Sequence, residues 1–108
     1  MYAKKWKEFP EDDQGYAIYH RLLPKENATN LDIALVRVKP GQTIPPHAHE
    51  NEDQAYIVLE GKGVLRLGKE EQELSEQMIV HIPPHTEHSV SNPSSTCEFK
   101  YIYVASWF

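Results

Sequence analysis

His47 and His49 stand two residues apart in this 108-residue sequence. On a β-strand, residues i and i+2 project from the same face, so both imidazoles can aim at one point, which is metal-ligand geometry. Imidazole suits Zn, Cu, Fe and Ni, and added oxygen donors admit Mn. Cys97 is the only cysteine, which rules out an internal disulfide and a thiolate cluster, so a metal here must take N and O donors. Four further histidines, His20, His81, His85 and His88, are scattered along the chain, so the doublet needs context before it defines a site.

The elements that must position these side chains are short strands. Turn formers recur at Pro24, Pro40-Gly41, Pro45-Pro46, Gly61-Lys62-Gly63, Gly68, Pro83-Pro84 and Asn92-Pro93. Between them lie runs rich in Val, Ile, Leu and Tyr, which predict strands over 17–23, 31–39, 55–60, 63–67, 78–82, 87–91 and 97–105. In the last of these, Phe99, Tyr101 and Tyr103 share one face, while Lys100 shares the other with Ile102 and Val104 and points outward. No longer segment has a helical period with caps, although Trp6 to Phe9 or Ser75 to Met78 could form a single turn. The fold class is all-β, a sandwich or barrel, in a single domain over 1–108 with residues 1–16 as its loosest segment.

Composition narrows the functional classes. The apolar fraction of 40% and the charged fraction of 25% are ordinary globular values. A net charge of −5 carries no basic stripe, because Lys4, Lys5 and Lys7 are followed at once by Glu8, Glu11, Asp12 and Asp13, so nucleic acid is not an expected partner. No apolar run approaches the roughly 20 residues that span a bilayer, and the start lacks the apolar stretch of a secretory signal. No membrane association and a cytoplasmic location are the resulting expectations. Asn27-Ala28-Thr29 matches a glycosylation acceptor but reads as a turn in that setting.

The segment 41–61 supplies the missing context. Gly41 is followed after five residues by His47-x-His49, then after four by Gln54, and after six more by Gly61. This resembles the first motif of the cupin superfamily, with Gln54 in the place where the family most often has Glu. The segment 77–92 resembles the second cupin motif in register, keeping Pro83, His88 and Asn92 and replacing both motif glycines, by Gln77 and His85. The resemblance implies a jelly-roll barrel (a double-stranded β-helix) in which the two motifs meet inside. It implies His47, His49, Gln54 and His88 as ligands of one divalent transition metal ion, with Fe, Mn, Ni, Zn, Co and Cu all open. Gln54 is either a direct ligand through its amide oxygen or a group that orients a ligand histidine or a water. Glu52 stands too close to His49 to fill the motif position.

Strand parity places Tyr56 and Val58 inward with Gln54, and Phe99, Tyr101 and Tyr103 inside opposite Lys100. Tyr56, Phe99, Tyr101, Tyr103 and, from the Pro-Pro loop, His85 are therefore candidates for a substrate pocket, or equally core aromatics and a loop histidine. His20 and His81 read as structural. Ala55, Ile57 and Leu59 make the other face of the same strand apolar, and a homodimer, usual for single-domain cupins, would cover it. Three neutral imidazoles and an amide leave the metal's charge uncompensated, which favours an anionic partner such as hydroxide, a carboxylate or an enolate. The implied function is a metal-dependent enzyme acting on a small anionic or oxygen-rich molecule by O2 addition, decarboxylation or isomerisation. The alternative is a non-enzymatic binding, sensor or storage barrel, since fold does not fix function. A metal-free, sugar-nucleotide epimerase-like cupin would need a His-Asp pair.

Overall fold

The computed structural model describes residues 1–108 and contains ten strands. They are β1 (Asp12–Asp13), β2 (Ala17–Leu23), β3 (Asp32–Val38), β4 (Thr43–His47), β5 (Glu52–Glu60), β6 (Gly63–Leu67), β7 (Glu70–Leu74), β8 (Ile79–Ile82), β9 (His88–Ser91) and β10 (Phe99–Trp107). A six-stranded sheet runs β1-β2-β3-β10-β5-β8 and a four-stranded sheet β4-β9-β6-β7, every pairing antiparallel. Two facing sheets with these crossovers form a jelly roll.

The apolar core lies between the sheets. Val36 and Val38 from β3, Tyr56 and Val58 from β5, and Phe99 and Tyr101 from β10 meet Ile44, Leu65, Leu74 and Val90 from the smaller sheet. Strand alternation produces this, since Gln54, Tyr56 and Val58 are buried while Ile57 between them is exposed. Ile79 sits opposite Ile57 across β5 and β8 and is 68% exposed, so this outer corner of the sheet is apolar and open. Lys100 turns outward to an ion pair with Glu60 at 2.9 Å.

Three strands lie outside the expected set, and each has a physical reason. β4 carries Pro45 and Pro46, which deny it donors, and it is tolerated because β4 is the edge of its sheet. β7 reads Glu-Glu-Gln-Glu-Leu with only Leu74 buried, a charged edge at the other side. β1 is two residues long and charged. β10 starts at Phe99, two residues after the expected boundary, because the backbone N–H of Cys97 is taken by Ser94 Oγ at 3.0 Å in the preceding turn. Trp6–Glu8 is a 3-10 turn, whereas Ser75 to Met78 is a plain turn.

Within residues 1–16 the last part is tied to the sheet. Asp12 and Asp13 pair with Tyr19 and Ile18, Arg21 holds Asp12 at 3.0 Å, and Lys39 holds Asp13 at 3.0 Å. Beneath this segment Arg37 joins Glu11 and Glu98 and donates Nε–H to Nε2 of the buried His20 at 3.1 Å.

Candidate metal centre

The two motif strands bring His47 and His88 face to face. His47 closes β4, His88 opens β9, and they are cross-strand partners. His49 differs from the expectation of a shared strand face: β4 ends at His47, and His49 lies in the loop beyond it. Its position comes instead from a backbone tie, in which the N–H of His85 donates to the His49 carbonyl at 2.7 Å. His85 achieves this with φ 63, in the left-handed region that its glycine slot demands, and Gln77 likewise keeps φ 72. The substituted motif positions thus retain the glycine conformation without glycine.

One ligating nitrogen from each of His47, His49 and His88 lies within 4.8 Å of the others. His88 is 1% exposed and the other two are more open. Nδ1 of His47 faces the Pro45 carbonyl at 2.9 Å, and Nδ1 of His88 faces the Thr86 carbonyl at 3.0 Å. A carbonyl only accepts, so in both rings Nδ1 carries the hydrogen and Nε2 presents a lone pair. Burial also lowers the His88 pKa, which keeps that ring neutral. Nε2 of His49 and Nε2 of His88 are buried and have no hydrogen-bond partner. Unpaired buried nitrogens are costly, and a cluster of them converging on one point fits a divalent metal.

Gln54 comes from the opposite sheet, on β5, and is 7% exposed. Its Nε2 donates to Oε1 of Glu52 at 2.7 Å. A carboxylate only accepts, so this bond fixes the amide orientation and leaves Oε1 of Gln54 as the free donor atom. Glu52, set aside on spacing grounds, therefore belongs to the site as the neighbour of Gln54, and its charge acts on His88. The protein thus places a carboxylate against the Gln54 amide. The sequence signal for Glu52 was its parity with Gln54 on β5.

His47 and His49 line a cavity of about 280 Å³ that also takes in Gln14, Tyr19, Arg21 and Tyr103. Tyr56, Tyr101 and Tyr103 line it together with Gln54, His47 and His49. Tyr56 and Tyr101 stack with ring centroids 4.5 Å apart, and burial pushes both phenols above their ordinary range, as it pushes Tyr19 up to about 12. Phe99, a pocket candidate, lies instead in the core: it is fully buried, and its ring fills the space where a Cβ on Gly63 would stand. His85 is exposed and does not line the cavity; what it contributes is backbone. Gln14, Tyr19 and Arg21 were not expected here, because β1 and β2 carry no motif. A His-Asp contact forms between His81 and Asp53 at 2.8 Å, but on the outer face with both side chains more than half exposed, away from the cavity.

Comparison with known proteins agrees with this architecture. The Cupin domain family matches residues 34–105, and the chain belongs to that family. Mannose-1-phosphate guanylyltransferase RfbM of Salmonella typhimurium is 30% identical over 71 residues, which are 66% of this chain and 15% of that protein. The chain thus spans only a small part of that relative. A predicted oxalate decarboxylase from Thermotoga maritima superposes with TM-score 0.88 at 19% identity, covering 96% of this chain and 97% of the other. The polyketide cyclase RemF from Streptomyces resistomycificus gives TM-score 0.86 at 20% identity, covering 98% and 79%. No helix of the chain is long and apolar enough to cross a membrane.

Proposed function

We propose that this cupin holds a divalent transition metal with His47, His49, His88 and Oε1 of Gln54, and uses it as an enzyme on a small, oxygen-rich anionic molecule. The observation that carries this reading is the pair of buried, partnerless Nε2 atoms on His49 and His88, in a cluster where backbone carbonyls fix Nδ1 of His47 and of His88. A bound metal would supply Lewis-acid polarisation of a chelating substrate oxygen. The chain's own residues then shape the cavity: the buried, stacked Tyr56 and Tyr101 wall it with neutral phenols. A dioxygenase, decarboxylase or isomerase reaction fits that arrangement, and two fold relatives carry decarboxylase and cyclase names.

One second reading is a non-enzymatic binding barrel, since the residues lining the cavity include no carboxylate to move a proton. Screening metal-loaded protein against small hydroxy and keto acids, for O2 uptake, CO2 release and product, separates the two. Turnover that disappears in His47→Ala supports the enzyme; saturable binding of the same acids without turnover supports the binder.

A further inference from the structure

Where β2 and β10 border the same cavity, four strands contribute one continuous chain of hydrogen bonds. Nε2 of Gln14 donates to Oδ1 of Asp12 at 2.7 Å, and Nη2 of Arg21 donates to Oδ2 of the same carboxylate at 3.0 Å. Nη1 of Arg21 reaches the Tyr103 hydroxyl at 3.5 Å, and that hydroxyl donates to Oδ2 of Asp32 at 3.0 Å. Gln14, Arg21 and Tyr103 line the cavity, while Asp12 and Asp32 stand behind them. The guanidinium is further steadied 4.6 Å above the Tyr19 ring.

Each carboxylate dictates what the lining residue in front of it can offer. Asp12 takes one amide hydrogen of Gln14, so Gln14 is left with Oε1 as an acceptor and its second N–H as a donor. Asp32 takes the hydroxyl hydrogen of Tyr103, so its oxygen is left as an acceptor too. Arg21 has N–H groups beyond the ones Asp12 and Tyr103 occupy, and these remain donors. The rim therefore sets acceptors and donors side by side. Its charge is one guanidinium against two carboxylates, so a second anion arriving here meets oxygen lone pairs backed by negative charge. A hydroxyl group, which both donates and accepts, satisfies all three lining residues.

From this mixture of donors and acceptors we propose that the rim formed by Gln14, Arg21 and Tyr103 reads hydroxyl groups, so the cavity takes a small polyhydroxylated acid with its acid end toward the histidines and its hydroxyls at the rim. The cavity of about 280 Å³ lies just below the usual range of roughly 300–1,000 Å³ for ligand sites, which fits a single small metabolite. The orientation rests on the metal reading above, whereas the rim chemistry does not.

Gluconate, hexanoate and adipate share one carbon-chain length and differ in hydroxyls or a distal carboxylate, so calorimetric titration of each into zinc-loaded and metal-free protein tests the proposal. Zinc content is measured on the same samples. Gluconate should bind at least tenfold more tightly than hexanoate or adipate, and Tyr103→Phe and Asp12→Asn should each cut that preference at least threefold. Adipate binding best would show that Arg21 reads anions and overturn the proposal, as would equal affinities or an unaltered preference in both variants. Protein that holds no zinc yet keeps the gluconate preference would sink the metal reading and leave the rim standing.

Discussion

Gln54 Nε2 donates to Glu52 Oε1 at 2.7 Å, and this one bond decides which atom the amide shows to the histidines. Without it the amide could turn over and present its N–H₂ group, which cannot ligate. Glu52→Gln should therefore weaken metal affinity about tenfold, the lower end of what outer partners of metal ligands contribute. Competition titration with a chromophoric chelator measures it, and unchanged affinity would remove Glu52 from the site.

The same pair explains why an amide suits position 54. Gln54→Glu would set two carboxylates against each other, raising the pKa of one and weakening capture of an anionic ligand. Adding Glu52→Gln to that variant should restore part of the anion binding, and a double-mutant cycle reads the coupling. Strict additivity would show that the two side chains do not act together.

His85 and Gln77 spend backbone energy in the left-handed region. His85→Gly and Gln77→Gly should each stabilise the fold by about 1 kcal/mol in denaturant unfolding. Because the His85 tie to His49 runs through its N–H, His85→Gly should also leave metal affinity intact. A loss of affinity in that variant would give the imidazole a role that its exposed position does not.

Phe99 belongs to the core and not to the cavity. Phe99→Ala should cost about 3–5 kcal/mol of stability, and at low temperature the folded variant should bind metal as the wild type does. Gly63→Ala should also destabilise, since its Cβ would stand 2.4 Å from the Phe99 ring. Selective loss of ligand binding without loss of stability would return Phe99 to the pocket.

Asp12 and Asp13 titrate below their ordinary value of 3.8, Asp12 chiefly through its hydrogen bond from Arg21 and Asp13 chiefly through the Gly15 N–H. A depressed folded pKa means that the unfolded chain takes up the proton first. Their contribution to stability is complete above 3.8 and is lost as pH falls through the lowered folded values. Carboxyl NMR titration should show the Asp12 midpoint below 3.8, moving up in Arg21→Gln; a midpoint that does not move contradicts the rim geometry.

Most of the barrel was legible because its inner strands alternate or run apolar between turn formers. What escaped was the periphery: β4 hides behind Pro45 and Pro46, and β7 behind its glutamates, both allowed only at sheet edges. Among the site residues, the histidine spacing and the motif register pointed to His47, His49 and His88. The closing motif glycine also has a local reason, since Gly61 has φ +83 and a Cβ there would meet the Glu98 carbonyl oxygen at 2.7 Å. Glu52 needed attention to strand parity beside Gln54. Arg21, Gln14 and Asp12 were invisible, because their meeting with Tyr103 depends on β1 and β2 docking across β3 from β10, a contact no short sequence window contains.

Metal content per folded chain, measured after reconstitution and exhaustive dialysis, tests the central claim most directly. The wild type should retain a stoichiometric divalent transition metal, and His88→Ala should lose it while keeping its β-sheet circular dichroism. A correctly folded wild type that retains none, with His49 and His88 left partnerless, would contradict the account.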